Sequence, residues 1–147
     1  MSKIFFMNSV NLFTSNDGAT KTVGSSGFKP ENKTGIDIDG NENGIDLNEE
    51  LIYNRKETYF MRVNTNVMNG AGIFIGDVLI VDRSLKAADG KVIIALLNGD
   101  LLIRRFENKN NMISLFADAT RLSPICIQAN SLDFSIWGVV TYVIHKP

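Results

Sequence analysis

The chain changes its hydrophobic rhythm near residue 57. Upstream, residues 8–44 hold six of the twelve glycines among many Asn, Ser, Thr and Asp, with neither strand-like alternation nor helical spacing of apolar positions. Such a stretch cannot bury enough apolar surface to offset its ordering entropy, which predicts an extended or partly disordered arm over residues 1–44. Asp46-Leu47-Asn48-Glu49-Glu50-Leu51-Ile52 then predicts one or two helical turns. Asp46 is placed to cap, Glu49 to supply a capping-box carboxylate, and Leu51 and Ile52 to give a small apolar face.

From Thr58 the period is that of strands. Thr58-Tyr59-Phe60-Met61-Arg62-Val63 is rich in β-formers, and Asp77-Val78-Leu79-Ile80-Val81-Asp82 is an apolar run closed by acids. Lys91-Val92-Ile93-Ile94-Ala95-Leu96-Leu97 and Asp100-Leu101-Leu102-Ile103-Arg104-Arg105-Phe106 flank Asn98-Gly99. Asn-Gly between apolar runs predicts a hairpin, because a type I′ turn needs positive φ at both central residues. Further strands are expected at Met112–Phe116, Ile125–Gln128 and 136–144, and no long amphipathic helix is present. The reading is a mainly β domain over residues 45–147, carrying the short helix and preceded by the arm.

Composition narrows the chemistry. A length of 147 residues suits one domain with a real core. Fifteen basic against sixteen acidic residues create no field that would pull the chain onto DNA or anionic lipid. A lone Cys126 excludes an internal disulfide, and Ile125-Cys126-Ile127 predicts it as a small buried hydrophobe. One histidine and one cysteine are too few for a zinc site of nitrogen and sulfur ligands. His145 lies close to the C-terminus, a poor place to hold a catalytic base. No apolar run is long enough for a bilayer, and Met1-Ser2-Lys3-Ile4-Phe5-Phe6-Met7 is too short for a signal-peptide core. The expectation is a cytoplasmic protein with no membrane partner and no cofactor.

One motif match is set aside. Asp39, Asn41, Asn43, Gly44 and Glu50 fit the calcium-loop pattern D-x-[DN]-x-[DN]-G-x5-E. That loop needs a helix on each side, and Gly35-Ile36-Asp37-Ile38 makes none; its eighth position, normally apolar, is Asp46. The segment reads instead as a solvated Asx/Gly turn entering the capped helix, and no metal site is expected.

A second series is more specific. Residues 45–52, 57–63, 72–82 and 92–106 occur in order, followed by Leu122-Ser123-Pro124-Ile125 and Phe134-Ser135-Ile136-Trp137-Gly138-Val139-Val140. Together they resemble the UmuD-like members of the LexA-type self-cleaving serine peptidases, over roughly residues 24–144. Met68, Gly76, Asp77 and Asp82 are the frame positions that carry the resemblance. It implies a small, strongly bent β-domain of the LexA/UmuD C-terminal type, dimerisation, and an N-terminal arm containing the scissile bond. Gly24-Ser25-Ser26-Gly27-Phe28 resembles that cleavage region, with Ser26–Gly27 the corresponding bond.

The family's chemistry is a Ser-Lys dyad, in which a desolvated, neutral lysine activates the serine. By the resemblance, the serine position, just before Met68, is Val67, and the lysine position on the second hairpin strand is Arg104. Valine has no nucleophilic atom, and a guanidinium does not deprotonate in a protein. Thr65 sits about 6.6–6.8 Å further along an extended chain, too far to inherit the role. The expectation is therefore a chain without self-cleavage, its arm retained as an edge cover or swapped clasp.

By resemblance, its partners are a second copy or an active UmuD-like protein, a Y-family translesion polymerase and the RecA filament, within the SOS response to DNA damage. A LexA- or phage-repressor-like regulatory dimerisation module is the alternative, without the helix-turn-helix that would give direct DNA binding. An active peptidase using unorthodox residues is a third reading. Arg104-Arg105 with Lys109 suggests a phosphate patch, against the plainer expectation that one arginine fills the lysine cavity and the other faces solvent. Trp137 is expected in the core or at a dimer interface rather than as a base-stacking platform.

Overall fold

Asn98 and Gly99 take φ of 50° and 81°, the paired positive values of a type I′ turn. They join β4 (Val92–Leu97) to β5 (Asp100–Lys109) in an unbroken register from Leu97↔Asp100 to Val92↔Arg105. The computed structural model describes residues 44–119 and 121–147, and the backbone of 13–14. The other strands are β1 (Phe13–Thr14), β2 (Thr58–Arg62), β3 (Val78–Asp82), β6 (Met112–Phe116), β7 (Ile125–Gln128) and β8 (Phe134–Ile144). One helix, α1 (Leu47–Leu51), and a 3-10 turn at Asn69–Ala71 complete the described elements.

All strand pairs are antiparallel, in one sheet ordered β1-β2-β3-β8-β4-β5-β6-β7. The mainly β architecture expected from the strand rhythm is the one observed. Strand β4 explains why its sequence is continuously apolar: Ile93, Ile94 and Ala95 are all fully buried. Ile94 packs with Met61, Met68, Leu79, Val81 and Ile103, whereas Ile93 and Ala95 pack with Phe106, Ile113, Leu115 and Val139. Alternate side chains of one strand thus enter two cores, one on each face.

Covering both faces requires the sheet to bend, and β8 supplies the bends. Opposite β3 its register jumps from Tyr142 to Val140, skipping Thr141; opposite β4 it jumps from Gly138 to Ile136, skipping Trp137. Each extra residue is a bulge, which kinks the strand and raises its twist. The displaced groups are re-used: the Thr141 hydroxyl donates to Ile80 O at 3.2 Å, and Arg83 Nε donates to Trp137 O at 3.0 Å. Gly138 lies between the bulges because a Cβ there would meet Val81 Cγ1 at 2.6 Å.

Several expectations need correction. Strand β8 begins at Phe134, two residues early, because Phe134 pairs with Leu97 beside the hairpin. Val63 lies beyond β2 and instead exchanges backbone hydrogen bonds with Asp77 O and Gly76 N. Cys126 is exposed, since β7 ends the sheet and its alternation buries Ile127 instead. Helix α1 forms behind Asp46, whose carboxylate accepts the Asn48 N–H at 2.8 Å. No helix among the described residues is long and apolar enough to cross a membrane.

Candidate functional site

The turn that leaves β2 crosses into the first core. Val67 and Met68 are buried at 3% and 0% exposure, and both pack with Ile73, Leu79, Ile94 and Ile103. Backbone bonds close the turn behind them: Ala71 N and Ile73 N both donate to Met68 O, at 2.9 and 3.2 Å. Gly72 takes φ 76°, which ends the 3-10 turn. Position 67 thus carries an apolar side chain in an apolar environment. Thr65, two residues earlier, is also buried, and its hydroxyl oxygen accepts the Val67 N–H at 3.4 Å.

Arg104 lies on β5 directly opposite Ile93, a residue of the second core. It is buried, and its Nη1 donates to the carbonyl of its own neighbour Ile103 at 2.7 Å. Burial pushes its pKa below the ordinary arginine value, but a guanidinium stays protonated wherever the fold exists. No carboxylate among the described residues pairs with it.

Arg105 is linked to the 67–71 turn through Asp118. Its Nε donates to Asp118 Oδ2 at 2.9 Å, its Nη2 also contacts Asp118, and its Nη1 donates to Gly90 O at 2.7 Å. Asp118 in turn accepts the Gly70 N–H on its backbone carbonyl at 2.6 Å and places its own N–H 3.5 Å from Met68 Sδ. Asn66, Asn69, Gly70, Arg105, Asp118 and Leu122 border an open polar cleft of about 810 Å³ beside this tie. The Arg105–Asp118 link has no local sequence signal, although Arg105 opposite Phe116 places Asp118 on the neighbouring diagonal.

The other basic residues of this stretch have acidic partners. Lys109 pairs with Glu107, whose carboxylate raises its pKa, and Arg105 is taken by Asp118. Arg83 lies 4.5 Å from the Trp137 ring centroid, and Trp137 meets Tyr59 edge-on at 5.0 Å. Trp137 therefore packs against its own sheet, with an arginine over its face.

The frame acids hold the ends of β3. Asp77 is 3% exposed and accepts the Phe74 N–H at 2.8 Å and faces His145 Nδ1 at 2.7 Å. Burial alone would raise its pKa, but the Phe74 N–H and His145 outweigh it and hold the carboxyl below its ordinary range. Asp82 accepts both the backbone N–H and the hydroxyl of Ser84, at 2.7 and 2.5 Å. Gly76 takes φ 94° just ahead of Asp77, and its carbonyl accepts Arg62 Nη1 at 2.9 Å. Ser26, Gly27, Asp39, Asn41 and Asn43 lie outside the described residues, while Glu50 is exposed on α1.

Fold and frame together have known counterparts. Residues 26–141 match the Peptidase S24-like family, and the chain belongs to it. It is 34% identical over 88 residues to a LexA repressor of Aliivibrio fischeri, covering 60% of this chain and 42% of that protein. It is also similar to the LexA repressors of Paraburkholderia phytofirmans, 31% over 97 residues, and Ralstonia nicotianae, 29% over 94. Those matches cover 66% and 64% of this chain and 45% and 44% of the relatives. The chain thus spans less than half the length of the curated relatives it matches.

Proposed function

We propose that this chain is a catalytically inactive, UmuD-like interaction subunit that does not cleave itself. The observation that carries the reading is the pair Val67 and Arg104: within a family frame, one position has no nucleophilic atom and the other a permanent cation. The burial of Val67 among Met61, Met68, Leu79 and Ile103 supports it, since the side chain there serves packing and carries no hydroxyl. On this reading residues 1–44 stay attached to a domain over residues 45–147, and the pairing of Phe13↔Phe60 and Thr14↔Tyr59 supports an arm that covers the β2 edge.

The working surface is then the β-domain, acting as a homodimer or with an active UmuD-like partner in the cytoplasm. Its proposed setting is the SOS response, in contact with a Y-family polymerase or RecA. Co-purification with a UmuC-type polymerase and with RecA tests that setting, and loss of both complexes rejects it. A LexA- or phage-repressor-like regulatory dimerisation module is the second reading, favoured by the names of the matched relatives. On that reading the chain dimerises through its β-domain and labelled operator DNA is not retained on a filter at low salt.

A further inference from the structure

Arg104 is the only buried cation among the described residues, at 7% exposure, and the buried acids are engaged elsewhere. Asp77 faces His145 and Phe74 N–H, and Asp82 holds Ser84. A buried charge with no counter-charge is unfavourable, because water has been removed and nothing of opposite sign replaces it. Of the five guanidinium donors, the Ile103 carbonyl takes one, through Nη1. Yet no buried side-chain nitrogen or oxygen among the described residues lacks a hydrogen-bond partner. The guanidinium nitrogens without a partner therefore keep contact with the surface, while the stem is enclosed. Leu102 and Phe106, two positions away on the same strand face, and Ile93 across from it are all buried apolar groups.

We propose that Arg104 is a receptor for a carboxylate group, taken from outside the β-domain onto the open edge of its guanidinium. The planar fork of N–H donors matches a carboxylate's two oxygens, and the dry apolar surround strengthens such a pair. This role concerns position 104 as it now is and does not depend on whether the chain has lost self-cleavage. The acidic side chain of a protein segment and a free small carboxylate share this chemistry, and the test separates them.

The measurement is the thermal midpoint of the full chain at constant ionic strength in chloride, in acetate, and with the peptide Ile-Asp-Ile-Asp, the sequence of residues 36–39. The peptide's Asn analogue is the control. A rise in midpoint with the Asp peptide but not with the Asn peptide identifies a protein carboxylate, and an equal rise with acetate identifies a small one. The Arg104→Met variant should melt higher than wild type in chloride and show no carboxylate response. Arg104→Lys, which keeps the charge and loses the fork, should bind roughly tenfold or more weakly. A wild-type midpoint indifferent to every carboxylate overturns the proposal, as does a full response retained by Arg104→Met. Mass spectrometry of the same samples reads arm cleavage separately, so failure here leaves the proposed inactivity standing.

Discussion

His145 Nδ1 lies 2.7 Å from Oδ1 of Asp77, tying the chain just beyond the end of β8 to the residue immediately ahead of β3. The contact is reinforced by the Phe74 ring, whose centroid is 5.5 Å from that of His145. Asp77 also holds the Phe74 backbone N–H, so one carboxylate fixes the 74–77 turn and the C-terminal strand together.

A pH dependence follows with a definite sign. The Asp77 carboxyl is depressed in the fold despite burial, because the Phe74 N–H and His145 favour its charged form. Its contribution is complete above the unfolded value of about 3.9 and is lost as pH falls through the lower folded value. Asp77→Asn should cost about 1–2 kcal/mol at neutral pH, and the gap to wild type should close in acid. Urea titrations at neutral and acid pH read this; a gap that widens on acidification is the opposite result.

Gly70 has no room for a side chain. A Cβ there would meet the Asp118 carbonyl oxygen at 2.5 Å, the same atom that accepts the Gly70 N–H. Gly70→Ala should therefore push the 67–71 turn away from Asp118 and cost about 1–3 kcal/mol. The midpoint of urea unfolding measures it, and an unchanged midpoint would mean that the Asp118 tie is dispensable.

The β4–β5 hairpin depends on its turn. Gly99 at φ 81° sits where an L side chain is strained, so Gly99→Val should lose about 1–2 kcal/mol without altering the fold. Unchanged circular dichroism with a lowered thermal midpoint is the expected pair of results.

Much of this was legible because it is local. Asn98-Gly99 announces its turn, Asp46 its cap, and the apolar runs on either side of Asn98-Gly99 their strands, each through short-range stereochemistry or pattern. Positions 67 and 104 were found through the family frame, since an apolar residue and an arginine carry no catalytic signal of their own. Long-range pairings were not legible: Arg105 and Asp118 meet across a hairpin, and Asp77 and His145 are 68 residues apart. Cys126 is exposed although two flanking isoleucines suggest burial, because the strand buries one face only. The bulges at Trp137 and Thr141 answer to the curvature of the whole sheet, which no window of sequence contains.

The central claim is tested most directly by the intact mass of the full chain after prolonged incubation at alkaline pH, beside a Val67→Ser/Arg104→Lys double variant. Wild type is expected to keep its full mass, while the double variant, with nucleophile and titratable base restored, is expected to split between Ser26 and Gly27. Wild-type chain cut at that bond would contradict the account.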